Sequence, residues 1–358
     1  MDAKSSSRLL ERNRRLIEAV KTKAEKACPG ALDLIAITGS FHSGEFYEKS
    51  DLDLLIVINS EAGWKLAKGF ILEDVGFDIY CQTWEALEHA AGYPDPHVIK
   101  LLDAELVYTA GQAAKERYLG LRKQLQAVLD APFSMEDLEK AQGYFASAVN
   151  VLGKLCLADS DGACKYLSSH FLYYIEYVVY MVNKASVHHG IQGIPKEICS
   201  LKHLPEGFAQ AYSGLVLAEG RENILSTASN LGRITEAFLK KRRAGLAEKK
   251  QVSAKDLEGS YEEIYSNWHG KMHRAAALDD AYLAFMTAGS CQSFYDSMAE
   301  EYDMPCFQIF SDFSGKNLSG TAAHFDQVME EYAGLYLKNG VEFCRYNSLD
   351  EFEAAYLN

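Results

Sequence analysis

Two stretches decide the fold. The first is Ala31-Leu32-Asp33-Leu34-Ile35-Ala36-Ile37-Thr38-Gly39-Ser40. The second, ten residues on, is Asp51-Leu52-Asp53-Leu54-Leu55-Ile56-Val57-Ile58-Asn59. Each is a short apolar run with polar punctuation, the pattern of a buried strand. The first stops abruptly at Gly39-Ser40, and the second opens on two aspartates. In extended chain, residues i and i+2 point to the same side, so Asp51 and Asp53 project together. Carboxylates that close repel each other unless something cationic sits between them. Mg²⁺ meets that need, because it binds through one or two carboxylates plus substrate phosphates.

A third strand is expected over Gly76–Gln82, with Asp78 flanked by apolar neighbours. An aspartate in such a strand is costly unless paired or bound to metal. Three carboxylates from adjacent strands can hold two metal ions, which clamp the attacking and leaving oxygens of a phosphoryl displacement. Gly39 lets backbone approach a phosphate closely, and N–H groups at the start of a following helix bind it.

Working outward, helices are expected over 5–27, 61–72, 83–91 and 111–129, with a further strand at Glu105–Thr109. Alternation of this kind defines an α/β unit. Beyond residue 135 the periodicity is helical throughout: Met135–Leu157, Cys164–Val187, Pro205–Leu217, Glu222–Lys241, 256–300 and 320–338, with Phe307–Phe310 as a candidate strand. The expected fold class is α+β: an N-terminal α/β domain with a short mixed sheet, then an all-α helical-bundle region. The expected domains are 1–130, 131–250 and a mainly helical 251–358.

The 358 residues carry 36 basic and 50 acidic side chains, a net charge of −14. Such a surface repels phosphate backbones, which disfavours nucleic acid as a partner and suits a cationic small substrate. No apolar run approaches the roughly 18 residues of a membrane span. The longest candidate, Phe171–Val182, is interrupted by Glu176. Residues 1–15 are polar and basic with no signal core. The expected location is the cytoplasm, with no membrane partner. The eight cysteines form no Cys-x-x-Cys pair, which argues against structural zinc and a disulfide framework. His269 and His273 have the i, i+4 spacing of a zinc helix. Gly270 stands where a catalytic Glu would follow the first His, and no third ligand is evident in the sequence. His42, in the spacer, reads as an exposed loop residue.

The ordered set Gly39, Ser40, Asp51, Asp53 and Asp78 resembles the nucleotidyltransferase superfamily that includes DNA polymerase β. The resemblance covers residues 31–82 and extends loosely to Asp103–Thr109. The helices after residue 135 look like the C-terminal domain of aminoglycoside nucleotidyltransferases, with streptomycin and spectinomycin adenylyltransferases the nearest in pattern. That likeness rests on Phe171–Lys184, Gly190–Lys196 and Leu201–Pro205. It implies a bacterial enzyme of the antibiotic-resistance kind, moving NMP from an NTP, ATP by default, to a hydroxyl of a small acceptor. Asp51, Asp53 and Asp78 would be the metal ligands for two Mg²⁺ ions. Gly39 and Ser40 would hold the β- and γ-phosphates, and Lys184 and Lys202 would reach the triphosphate. Glu176 is the candidate general base, with Asp78 and Glu85 as competitors. Tyr173, Tyr177 and Tyr180 share a helix face that either lines a cleft or packs in the core. The alternatives are a protein- or RNA-modifying nucleotidyltransferase of the toxin–antitoxin type, or a silent nucleotide-binding module. Oligomeric state is left open.

Overall fold

Leu32–Ile37 (β1) and Leu54–Ile58 (β2) pair antiparallel, with Ile35 opposite Ile56 and Ile37 opposite Leu54. Both are buried on both sides, as their near-continuous apolar runs require. The computed structural model describes residues 3–44, 46–246 and 249–357, with side chains from residue 6 onward. It divides into two compact units, Met1–Leu246 and Ala247–Asn358.

The first unit runs α1 (Ala3–Ala27), β1, α2 (Gly39–Ser43), β2, a 3-10 turn (Glu61–Leu66), β3 (Lys68–Leu72), β4 (Val75–Ile79) and β5 (Cys81–Thr83). It continues through α3 (Trp84–Ala91), α4 (Ile99–Leu102), β6 (Glu105–Thr109) and α5 (Gln112–Asp130). The helices α6 (Met135–Cys156), α7 (Asp161–Asn183), α8 (Ile194–Ile198), α9 (Phe208–Leu217) and α10 (Arg221–Leu246) complete it. Four strands form one mixed sheet in the order β5-β2-β1-β6, in which only β2 and β5 run parallel. The unit is thus α+β, a small mixed sheet followed by helices.

The period-2 alternation of β2 divides the core. Leu54, Ile56 and Ile58 face Ile17, Val20 and Ala24 of α1 and Phe77 of β4. Leu55 and Val57 face the helical side, where Tyr118, Leu138, Val178, Met181 and Phe238 close over them. That second cluster takes residues from α5, α6, α7 and α10, so the expected boundary at 130/131 runs through one core. The division into two units falls at Leu246/Ala247, four residues before the expected boundary at 250/251. The physical reason is that a four-stranded sheet with an apolar face must bury it, and these helices supply the cover.

The segment 93–98 ties α7 to the sheet side. The Tyr93 hydroxyl donates to the Ala185 carbonyl at 2.8 Å, and the Val187 amide donates to the Pro96 carbonyl at 3.0 Å. His97 meets the rings of Tyr173 and Tyr177, and Tyr144 meets Tyr177 edge-on. Tyr177 and Tyr180 are buried. Tyr177 and Tyr180 are therefore packing surface, while Tyr173 is exposed at its edge.

The expected helix over 61–72 is a 3-10 turn followed by β3. A hairpin closes β3 on β4 through Glu73 and Asp74, whose φ values are 52° and 60°. Positive φ at both turn residues matches the twist of a two-residue hairpin. No Gly or Asn announced it.

The second unit contains α11 (Ala254–Leu257), α12 (Ser260–Ile264), a π-helical turn (Tyr265–His269), α13 (Gly270–Leu278), α14 (Ala281–Glu301), α15 (Leu318–Lys338) and α16 (Leu349–Tyr356). A two-residue bridge joins β7 (Lys250–Gln251) to β8 (Tyr302–Asp303). Phe307–Phe310 is not a strand; it runs irregularly into a turn, with Phe307 and Ile309 buried. Its core is aromatic, built on Tyr295, Phe307, Phe325, Tyr332 and Tyr336.

Lys184 caps the C-terminus of α7 at φ 49° and pairs with Asp137 at 3.2 Å, both side chains only 8% exposed. Asp137 also closes a capping box with Ser134 at the start of α6. Burial works to raise the Asp137 pKa, but hydrogen bonds from Ser134 and the Lys184 ammonium overcome it and hold it below the ordinary 3.8. Its contribution to stability is full at neutral pH and is lost as pH falls through that depressed value. Removing one partner of a buried pair costs about 3 kcal/mol or more. Lys184→Met is expected to lose about that much in urea unfolding at pH 7, with the deficit shrinking in melts taken progressively below the ordinary Asp range.

Candidate active site

The site is built where β1 ends and β2 begins. The Thr38 amide donates to the Asp53 carbonyl at 3.0 Å, extending the β1–β2 ladder by one rung. The chain then turns at Gly39, with φ 67°, into the short α2. A Cβ at Gly39 would lie 2.1 Å from the Asp53 Oδ2 and 2.8 Å from its Cγ. No side chain fits between this turn and that carboxylate, and the left-handed backbone independently favours glycine. Beside the turn, the Thr38 hydroxyl is buried without a hydrogen-bond partner among the described residues.

Asp51 and Asp53 precede β2 and are each half-buried. By alternation they belong with Leu55 and Val57, on the helical side of the sheet. Burial raises the Asp53 carboxyl above the ordinary aspartate range, and the neighbouring charge of Asp51 pushes the same way. The Lys100 ammonium opposes them. Lys100 sits on α4, half-buried. Arg12 of α1 donates to the Ser50 carbonyl at 2.7 Å and stands over the Phe77 ring at 4.9 Å. Burial lowers its pKa, against the pull of Glu73 and Asp51. Sequence reasoning missed both the Lys100 ammonium that acts on Asp53 and the Arg12 guanidinium on which Asp51 acts. Lys100 had no signal, because α4 is a four-residue turn with no pattern of its own. Arg12 was one of several basic residues on a polar helix.

His42 is not an exposed loop residue. It lies on α2, and its Nε2 is 2.5 Å from the Asp103 Oδ1 at the end of α4. That pair ties the turn after β1 to the helix that carries Lys100. Ser40, on the first turn of α2, is half-buried.

Asp78 is exposed on the β3–β4 hairpin, opposite Gly69, and not inside an apolar strand. The hairpin is a separate two-stranded sheet. Yet β5 follows after one residue and pairs with β2 in the parallel register Ile56–Cys81. That pairing covers Ile56–Ile58 and Cys81–Thr83, and Asp78 lies before it, in the hairpin. Its cost in the sequence argument disappears, since an exposed carboxylate needs no partner.

The other expected residues have settings of their own. Glu176 of α7 accepts from the Tyr212 hydroxyl of α9 at 2.5 Å. Burial raises its pKa, which that hydrogen bond partly offsets. The structure pairs it with Tyr212 and not with Asp51 or Asp53. Lys184 is committed to Asp137. Lys202 is exposed at a basic cavity of about 330 Å³, lined also by His203, Lys241 and Arg242. Glu85 lies in the first turn of α3.

Residues 14–91 match the family model of a nucleotidyltransferase domain. The match covers less than a quarter of the chain and includes Gly39, Ser40, Asp51, Asp53 and Asp78. No curated protein matches the chain. Among solved structures, a nucleotidyltransferase-like protein from Exiguobacterium sibiricum 255-15 aligns at 13% identity and a TM-score of 0.36, covering 79% of this chain and 91% of that one. None of these comparisons points to the aminoglycoside branch. Among the described residues, no helix is long and apolar enough to cross a membrane.

The donor set fits a divalent cation. It offers carboxylate oxygens, a mutual repulsion that a cation would relieve, and a glycine cradle with no side chain in the way. Because the Asp53 pKa is raised, its ionisation costs the empty fold stability as pH rises above the ordinary value of 3.8. Asp53→Asn is therefore expected to raise the melting temperature at pH 7 without divalent cations. About 1 kcal/mol corresponds to roughly 2–4 °C in a unit this size. The gain should vanish in melts at pH values where Asp53 is protonated. Gly39→Ala should do the opposite. The left-handed backbone alone costs about 1–2 kcal/mol, and the clash displaces Asp53, so differential scanning calorimetry should show a lower melting temperature.

Proposed function

We propose that the first unit transfers a nucleoside monophosphate from an NTP, with ATP the default donor, to a hydroxyl group of a small acceptor, releasing pyrophosphate. The observation that carries this reading is the Gly39 turn closed against Asp53 within the segment that matches the nucleotidyltransferase domain. Asp51 and Asp53 would hold Mg²⁺, and Asp78 would complete a second site. The cations, when bound, would supply charge neutralisation on the triphosphate and its α-phosphorus.

The rest falls to the protein. The turn at Gly39 and Ser40 presents backbone to the phosphates without a side chain in between. Lys100 and Arg12 would add positive charge near the carboxylates, so the site would attract a triphosphate as well as its cation. In the transfer the acceptor oxygen bonds to the α-phosphorus, the bond to the bridging oxygen breaks, and pyrophosphate carries that electron pair away. The hydroxyl proton goes to a carboxylate. Asp78 takes that role better than Glu176, whose carboxylate is held by Tyr212. Holding the partners in line accounts for most of the acceleration. A net charge of −14 favours a cationic acceptor such as an amino sugar.

The test is a melting-temperature panel of ATP, GTP, CTP and UTP, each with and without Mg²⁺. Saturation at 100 times Kd adds about 2.7 kcal/mol to stability. A Mg²⁺-dependent rise with one nucleotide, absent in an Asp51→Asn, Asp53→Asn variant, is the expected result. Pyrophosphate release on addition of an amino-sugar panel would then identify the acceptor class. A folded wild type that responds to no nucleotide would overturn the proposal.

A further inference from the structure

The second unit holds a cluster that the nucleotidyl-transfer reading does not use. His269 ends the π-helical turn, His273 lies on the first turns of α13, and Asp326 lies on α15. Met272 and Ala275 on α13 and Phe325, Val328 and Met329 on α15 are buried in the same core. Their packing brings the two helices together, and the two imidazoles and the carboxylate meet along that seam. The His273 Nε2 is 2.9 Å from the Asp326 Oδ1, and the His269 Nε2 is 3.3 Å from the same oxygen. One ligand atom from each residue lies within 4.8 Å of the other two.

We infer that His269, His273 and Asp326 form a binding site for a divalent transition metal of the Zn²⁺ class. The sequence supplied the two histidines at i, i+4 but no third ligand; the pairing of α13 with α15 supplies it from 53 residues away.

Geometry and donor chemistry agree. Ligand atoms at the usual 2.0–2.1 Å around a tetrahedral zinc stand about 3.3 Å apart. The two distances to the Asp326 oxygen are close to that value and the ligand atoms all lie within 4.8 Å of one another, so a cation enters by drawing the two imidazoles together around it. Two imidazoles and one carboxylate suit Zn²⁺, Co²⁺ or Ni²⁺, while Mg²⁺ and Ca²⁺ prefer all-oxygen sets. The Tyr265 ring stacks on His269 at 4.3 Å, with 17° between the planes, and fixes the orientation of that imidazole. The side chains of His269, His273 and Asp326 are 23%, 44% and 40% exposed. An ion therefore has a route in. Three protein ligands also leave a coordination position for water, the arrangement of sites that act on a ligand and not only on the fold.

The experiment uses the full chain without a tag, freed of metal with a chelator and dialysed. Co²⁺ is titrated in while visible absorption is followed, and Zn²⁺ is then added as competitor. One equivalent of Co²⁺ should produce d–d bands of a nitrogen–oxygen site, and Zn²⁺ should abolish them. Zn²⁺ alone should raise the melting temperature. His273→Ala and Asp326→Asn, both at partly exposed positions and checked for folding by circular dichroism, should weaken Co²⁺ binding at least tenfold. The Asp51→Asn, Asp53→Asn variant should keep the nitrogen–oxygen d–d bands and their Zn²⁺ competition, even where it loses Co²⁺ held by the carboxylate pair, which separates this site from the nucleotide site. A folded wild type without d–d bands would overturn the inference. So would bands that persist in both variants, or a thiolate-to-cobalt charge-transfer band showing that cysteines hold the metal.

Discussion

The antiparallel pairing of β1 with β2 is the constraint on which the first unit depends. It aligns two strands whose alternate residues are apolar on both sides. One side needs α1 and the β3–β4 hairpin, and the other needs α5, α6, α7 and α10. The same register decides where chemistry can occur. It ends with the Thr38 amide on the Asp53 carbonyl. That bond brings the Gly39 turn against the Asp53 carboxylate and fixes which face Asp51 and Asp53 share.

Asp137, buried, and Asp53, half-buried, show how surroundings set a carboxylate's cost. Asp137 gains hydrogen bonds from Ser134 and an ammonium from Lys184, and its pKa falls. Asp53 gains burial and a like charge, and its pKa rises. The first arrangement stabilises the fold as it stands. In the second, burial and a like charge disfavour the ionised carboxylate, which a bound cation would favour, as expected of a group arranged for a ligand.

Glu176 illustrates the limit of pattern reading. A glutamate interrupting an apolar, tyrosine-rich helix is equally consistent with a cleft and with a buried hydrogen bond. The difference lies in α9, which places Tyr212 against it. Lys184 is the same kind of case: a lysine after a long helix, drawn inward because Asp137 on α6 offers a buried partner.

Local chemistry by itself determined the strands, the abrupt Gly39–Ser40 stop, the Asp51–Asp53 pair and the helical character after residue 135. Each rests on periodicity or on a residue type whose conformational preference acts over a few positions. The tertiary structure alone decided the rest. It merged the sheet with the helices that follow, because the core face of β2 needs a cover that no local pattern can name. It turned the second half of the expected 61–72 helix into β3, because pairing with β4 outweighed weak helical periodicity. It brought Lys100 and Arg12 to the carboxylates, and Asp326 to His269 and His273. These are contacts between elements distant in sequence, and they exist only once packing has chosen which helix faces meet.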